Sequence, residues 1–326
     1  MQSKIENPTI FVTRRWPAEA EEALKLYFNP TFNYDDVPLS AEQLSEGFST
    51  HDALAPTVSD LIDKKVIAAG AAGRGRLIAN YGVGVNHIDL TAAKNANISV
   101  SNTPGVLTDA TADLTVTLIL MLARRAGEGE RELRSRNWTG WRPTHLMGRE
   151  VRGKTLGIIG MGRIGKAVGQ RAALGFGMNI IFFNRSKIRD IEDYPAIQLD
   201  NVDEVCRRAD FISLHCAASP ETFKILSADR ISMMKHDACV INTARGDVID
   251  EKALALALKR RKIGGAGLDV FDGEPDVDQA LIDAPNTVLL PHLGSATLET
   301  RTAMGLKVVE NAKAFFDGKP LIDPVK

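Results

Sequence analysis

The run Gly160-Met161-Gly162-Arg163-Ile164-Gly165 limits the folds open to this chain of 326 residues more than any other feature. Residues 154–160 leading into it read as a buried strand, and residues 165–174 after it read as a helix. A strand that turns through three glycines of this spacing into a helix opens a βαβ unit. The first glycine permits the tight turn, the second lets a pyrophosphate approach the backbone, and the third lets the helix close on the strand. Backbone N–H groups and the helix dipole would then hold phosphates. The spacing alone also fits a glycine turn with no ligand; the strand before it and the helix after it favour a dinucleotide. Gly82-Val83-Gly84-Val85 follows a strand as well, but His87 stands where a further glycine is expected, so that run reads as a turn.

Short apolar runs alternate with helical patterns along almost the whole chain, which predicts α/β architecture with parallel sheets. In the first hundred residues the strand candidates are 9–13, 52–54, 66–69, 77–79 and 98–100, with helices at 18–26 and 58–64. Thr103-Pro104-Gly105 is a turn signal and a hinge candidate. Beyond it, residues 109–125 read as a long buried helix, followed by a polar stretch with Trp138, Trp141 and Pro143. Strands at 180–183, 211–215, 239–242, 265–268 and 288–290 continue the series begun at 154–160. The last helix, 298–316, follows the final strand and is free to return to the first domain, which would nest one domain within the other; periodicity leaves that return open. The length suits two domains.

Composition narrows the function classes. With 44% hydrophobic and 25% charged residues the chain can bury a large core, and a net charge of -1 predicts neither nucleic-acid nor membrane attraction. Basic clusters such as 131–136 contain or adjoin glutamates and read as a solvated helix face. The longest apolar-rich run, 114–123, is too short for a bilayer, which needs about 20 residues. Residues 1–10 show no apolar core of a secretory signal. Cys206, Cys216 and Cys239 are odd in number and show no CxxC spacing, so neither a disulfide framework nor a structural zinc site is expected, and a cytoplasmic location fits.

The residue near 20 positions beyond the glycine loop usually selects between dinucleotides. Here it is Asn184, followed by Arg185 and Ser186. A carboxylate would grip the ribose diol of NAD and repel a 2′-phosphate; Asn184 removes that repulsion, while Arg185 and Ser186 offer a guanidinium and a hydroxyl to a phosphate. NADP(H) is therefore expected ahead of NAD(H), with Arg185 lying in solvent over the adenine as the alternative.

Three strand ends carry residues with chemical uses. Asn242-Thr243-Ala244-Arg245-Gly246 follows one strand, Asp269 to Glu274-Pro275 another, and Leu290-Pro291-His292-Leu293-Gly294 the last. Ligands of open α/β sheets bind beyond the carboxyl ends of the strands. Arginine binds a carboxylate in bidentate fashion, histidine exchanges a proton near neutral pH, and a carboxylate beside it fixes the tautomer and favours the imidazolium. Singly, Arg245 could be a surface ion-pair residue, Glu274 a turn residue and His292 a strand cap. Their joint occurrence in one dinucleotide-binding series favours a site.

Taken in order, Asn80-Tyr81-Gly82-Val83-Gly84-Val85, the glycine loop, residues 242–250, 267–275 and 291–297 resemble the D-isomer-specific 2-hydroxyacid dehydrogenases over nearly the whole chain, and in particular their glyoxylate/hydroxypyruvate reductase branch. The resemblance implies a flavodoxin-like substrate domain from residues 1–102 and 292–326, with a Rossmann cofactor domain, 103–291, inserted. It implies NAD(P)H-dependent reduction of a small 2-oxo acid to the D-2-hydroxy acid, without a metal. Arg245 would bind the substrate carboxylate and oxo group, His292 would be the acid/base and Glu274 its partner. Cofactor contacts are expected at Thr108, Gly160, Gly162, Arg163, Ile164, Gly165, Asn184, Arg185, Ser186, Cys216, Thr243, Ala244, Asp269 and Gly294. Substrate contacts are expected at Leu54, Val83, Gly84 and Trp141 besides Arg245 and His292. The family also implies a homodimer through the cofactor domain, with Trp141 directed toward the neighbouring subunit's site. Glu274 sets the chain apart from the formate dehydrogenase relatives, which carry glutamine there, and no long carboxy-terminal extension of the regulated phosphoglycerate dehydrogenase kind is present. The alternatives are a dinucleotide-sensing co-regulator of the same fold and a reductase of bulkier 2-oxo acids. Arg74 and Arg76, flanking Gly75, have no functional account in the sequence.

Overall fold

A computed structural model describes residues 7–189, 191 and 193–325. Residues 1–6, part of the stretch read for a secretory signal, and Lys326 lie outside the described residues. The chain divides into two compact units, 1–107 with 296–326 and 108–295. Both boundaries fall four to five residues beyond those expected from sequence, 102/103 and 291/292. The reason is local: the first helix of the second unit starts at Thr108, and Asp269 ties residues 292–294 to that unit through its backbone carbonyl and carboxylate.

In the first unit the elements run β1 (Thr9–Val12), α1 (Ala18–Lys25), β2 (Asn29–Phe32), α2 (Ala41–Thr50), β3 (Ala53–Ala55), α3 (Lys64–Ala72), β4 (Leu77–Ala79), α4 (Leu90–Asn95) and β5 (Ser99–Ser101). The sheet is parallel, in the order β2-β1-β3-β4-β5, the flavodoxin-like 2-1-3-4-5 arrangement. Side chains alternate between faces along each strand. Ile10, Val12, Ala53, Ala55, Leu77 and Ala79 enter one core with Leu24, Val308 and Ala312, while Leu54 and Ile78 enter the other with Phe48, Ile62 and Ile67. The final helix, Leu298–Phe316, belongs to this unit and packs on α1. Gly305 allows the approach, since a Cβ there would meet the Ala20 methyl 2.5 Å away.

Two sequence readings fail here. Residues 66–69, expected as a strand, lie within α3, where Asp63 caps the helix by accepting from the amides of Lys65 and Val66. Residues 58–64, expected as a helix, form turns and an isolated bridge from Ile62 to Ile88, and only Lys64 is helical, as the first residue of α3. The structure also accounts for Arg74 and Arg76. Arg74 pairs at 2.7 Å with the buried Asp52, which in turn accepts from the Thr9 amide and hydroxyl. Arg76 donates to the carbonyls of Gly73 and Gly75. Both arginines fasten the turn before β4.

The second unit begins with α5 (Thr108–Ala123) and α6 (Ala126–Arg134). There follow β6 (Thr155–Ile159), α7 (Arg163–Gln170), β7 (Asn179–Phe183), β8 (Ala196–Gln198), α8 (Val202–Arg208), β9 (Phe211–Leu214), α9 (Ala228–Met233), β10 (Cys239–Asn242), α10 (Glu251–Lys259), β11 (Gly265–Leu268), α11 (Gln279–Ile282) and β12 (Thr287–Leu289). The final helix of the first unit is then α12. The seven parallel strands lie in the order β12-β11-β10-β9-β6-β7-β8. Counted from β6, this is the 3-2-1-4-5-6 Rossmann order with one further strand at the edge. The order reverses between β6 and β9, which are paired. One face of the sheet is covered by α5, whose Leu118 and Leu122 press onto β11 at Gly267. Among the described residues no helix is long and apolar enough to cross a membrane, and Cys206, Cys216 and Cys239 are all free thiols.

Candidate active site

The glycine loop leaves β6 at the point where the strand order reverses, the place where doubly wound sheets hold ligands. Gly160 has φ 99°, and a Cβ there would lie 2.6 Å from the Cys216 amide, so only glycine fits between the loops after β6 and β9. At Gly162, which precedes the first turn of α7, a Cβ would meet nothing within 4 Å: the space over the helix N-terminus is open. A Cβ at Gly165 would collide with the Gly160 carbonyl, so this glycine lets α7 close on the turn. Arg163 is exposed and Ile164 packs toward the core under the helix. An open helix N-terminus behind a tight glycine turn fits a pyrophosphate.

At the end of β7, Asn184 spans two loops. Its Oδ1 accepts from the Met161 amide at 3.1 Å, and its Nδ2 donates to the Ser186 carbonyl and hydroxyl. Gln198 adds donors to the carbonyls of Asn184 and Ser186. The turn is thus held by neutral amides, with Arg185 and Ser186 exposed beyond it.

Three strand-end loops of the same unit carry the titratable groups. After β12, His292 adopts a left-handed conformation with φ 55°, which costs a non-glycine residue roughly 1–2 kcal/mol. Bonds from its amide to the Asp269 and Leu290 carbonyls hold it there, and the Asp269 carboxylate receives the next two amides, Leu293 at 2.6 Å and Gly294 at 2.8 Å. His292 Nδ1 lies 2.8 Å from Glu274 Oε2, and Glu274 Oε1 accepts from the Phe271 amide. Burial alone would raise the Glu274 carboxyl, but the bonds from His292 and Phe271 and the charge of Arg245 hold it below the ordinary carboxylate range. Arg245, after β10, is half-buried and donates to the Ala244 carbonyl. Burial lowers its guanidinium, with Glu274 and Asp247 opposing the shift. Arg245, Glu274 and His292 thus form one electrostatic cluster, an ionised carboxylate joining the imidazole to the guanidinium. Such a group can bind a carboxylate and pass a proton from the other ring nitrogen, Nε2.

In the first unit the loop after β4 is tied by side-chain amides, with His87 Nε2 3.0 Å from Asn80 Oδ1. The carbonyls of Gly82 and Gly84 accept from Asn80, that of Val83 accepts from Asn102, and the Thr103 amide adds a second bond to Gly82. In a trans peptide the N–H points opposite its carbonyl. Tying three carbonyls in this way turns the amides of Val83, Gly84 and Val85 to the other side.

Residues 116–294 match the family model for the NAD-binding domain of D-isomer-specific 2-hydroxyacid dehydrogenases. The chain is 40% identical over 314 residues to the glyoxylate reductase of Korarchaeum cryptofilum, an alignment covering 96% of this chain and 94% of the other. It belongs to the D-isomer-specific 2-hydroxyacid dehydrogenases. Solved structures agree with this membership. A Thermus thermophilus protein shares 40% identity with a TM-score of 0.88, over 98% of this chain and 100% of that one. The NADPH-dependent glyoxylate/hydroxypyruvate reductase of Sinorhizobium meliloti, solved with NADP and malonate, shares 31% identity with a TM-score of 0.84, over 98% of this chain and 97% of that one.

Within the dehydrogenase, Thr108 is the half-exposed first residue of α5, and Cys216 stands against the glycine loop with its thiol pushed up to about 11 by burial, so it is a neutral group. Thr243 is buried and Ala244 half-exposed before Arg245, and Gly294 is buried behind His292. Trp141 is 81% exposed. Leu54 corrects the sequence expectation: it is fully buried in the first unit's core and presents no surface to a substrate. Sequence reasoning passed over the residues that hold the loops. Asn242 accepts from the Ala244 amide and donates to the Arg245 carbonyl, fixing the arginine turn. Glu251, at the start of α10, accepts from the Asp272 amide and so pins the loop carrying Glu274. Its carboxyl is pushed up to about 7, by burial first and then by Asp272, Asp278 and Glu274. An acidic residue opening a helix was the available signal at Glu251; Asn242 offered none.

Proposed function

We propose that this dehydrogenase reduces glyoxylate, hydroxypyruvate or a similarly small 2-oxo acid to the D-2-hydroxy acid, using NADP(H) in preference to NAD(H). The observation that carries the reading is the 2.8 Å contact between His292 Nδ1 and Glu274, with Arg245 coupled to the same carboxylate. The glycine loop, with its open helix N-terminus, fits the pyrophosphate, and Arg185 the 2′-phosphate; when bound, the nicotinamide supplies the hydride. Arg245 holds the substrate carboxylate and polarises the oxo group. The amides of Val83 and Gly84 offer donors to an anionic substrate. His292 gives its Nε2 proton to the developing alkoxide, and Glu274 keeps Nδ1 protonated and the ring oriented. The exposed Leu133, Trp138, Trp141 and Met147 form the surface proposed for a homodimer through the cofactor unit. The three free thiols fit a cytoplasmic location.

The test is an initial-rate panel of glyoxylate, hydroxypyruvate and bulkier 2-oxo acids with NADPH and NADH. Turnover highest with the small acids and NADPH is expected. Dinucleotide binding without turnover of any 2-oxo acid would sink the reading in favour of a co-regulator, and faster turnover of bulky acids would move the substrate class.

A further inference from the structure

Near its amino-terminal end, α5 carries two buried threonines that do more than satisfy the helix. Thr115 Oγ1 lies 2.8 Å from the Thr111 carbonyl and 2.9 Å from Thr243 Oγ1. A carbonyl only accepts, so the Thr115 proton is committed to Thr111 and Thr243 must donate to Thr115. One turn earlier, Thr111 Oγ1 donates at 3.0 Å to the Gly294 carbonyl. Thr115 is fully buried and Thr111 nearly so. Thr243 stands two residues before Arg245, and Gly294 two residues after His292. The two loops leave different strands, β10 and β12, which are not neighbours in the sheet because β11 lies between them. A single rigid helix therefore joins them by side-chain hydroxyls. Its own seat is firm, because Leu118 and Leu122 rest directly on β11 at Gly267.

We propose that Thr111 and Thr115 are positioning residues, a hydroxyl strut on α5 that sets the arginine loop and the histidine loop in register with each other. The proposal rests on the roles assigned above to Arg245 and His292. Each hydroxyl has its own consequence. Thr115 acts on the Arg245 loop, and so on the grip on the substrate carboxylate. Thr111 acts on the His292 loop, and so on the placing of the imidazole against Glu274 and the proton it passes.

Thr115→Val and Thr111→Val keep the shape and remove the hydroxyl. For Thr115→Val the KM for the 2-oxo acid should rise about three- to tenfold, the factor that one ordinary hydrogen bond corresponds to. For Thr111→Val the kcat for reduction should fall about three- to tenfold, with KM little changed. Thr115→Ser and Thr111→Ser, which restore the hydroxyl, should return both readouts toward wild type. Should Thr115→Val fail to fold, Thr243→Val breaks the same bond from its other end and is read in the same way. Lowered melting temperatures with wild-type KM and kcat would overturn the proposal, leaving the hydroxyls as packing groups; so would losses that serine does not restore. A wild-type protein that turns over no 2-oxo acid, or a fully active His292→Ala variant, would instead overturn the assignment of Arg245 and His292 and take the strut with it.

Discussion

The loop after β4 in the first unit and the loops after β10, β11 and β12 in the second all leave the carboxyl end of a parallel strand, yet they present different chemistry. In the β4 loop, Asn80, Asn102 and the Thr103 amide take up the carbonyls and so aim the loop's own amides outward, with His87 Nε2 set 3.0 Å from Asn80 Oδ1. The loops of the second unit present Arg245, Glu274 and His292, with charge held in a half-buried cluster. Backbone donors recognise an anion without titrating; side chains of this kind bind and also move a proton. The difference teaches that pH dependence should belong to the second unit, while changes in the β4 loop should alter affinity at every pH alike.

The largest effect expected short of removing the acid is at the glycine turn. Gly165→Ala places a methyl against the Gly160 carbonyl, so dinucleotide binding should fall by about a hundredfold or more, as one unrelieved backbone clash costs roughly 3 kcal/mol. Titration with NADPH checks this, and wild-type affinity would mean that α7 can shift without loss. Next is Arg185→Ala. A charge-assisted contact is worth about 1.5–3 kcal/mol, so NADPH should lose about ten- to a hundredfold in kcat/KM, more at low salt, with NADH nearly untouched. Equal losses with the two cofactors would mean that Arg185 stacks on adenine.

Asn102→Ala tests the comparison from the other side. It frees the Val83 carbonyl and should raise the KM for the 2-oxo acid about three- to tenfold. The factor should be constant across the pH profile, and a pH-dependent loss would break the distinction drawn between the units. Glu274→Gln should do the opposite. The Glu274 carboxyl lies below its ordinary range, so it is ionised at neutral pH, and the stability it adds is lost only as pH falls through that lowered value. Without the carboxylate the bond to His292 Nδ1 loses its charge, and the alkaline limb of kcat/KM for reduction should move down. An unmoved limb would show that Glu274 orients the ring without tuning it.

How much of this was legible in the sequence follows the same division. The glycine loop, Arg245, Glu274 and His292 could be found because each follows an apolar run that reads as a buried strand, and β10 and β11 appear with the boundaries expected. The edge strands β2 and β8 could not, since Asn29–Phe32 contains a proline and both are largely exposed, without the apolar run that marks a central strand. The short run Val66-Ile67-Ala68-Ala69 misled because its length does not separate a strand from a buried helix; the cap at Asp63 decides. Leu54 misled because a strand-end position says nothing about which face the side chain takes. The bond between Thr115 and Thr243 spans 128 positions, and no local pattern announces it.

The role of His292 as proton donor of a 2-oxo acid reductase is tested most directly by single-turnover reduction of glyoxylate by His292→Ala loaded with NADPH. A general acid contributes about 10²–10⁴-fold, so the rate should fall by that factor while NADPH binds as in wild type. A rate near that of wild type would contradict the assignment.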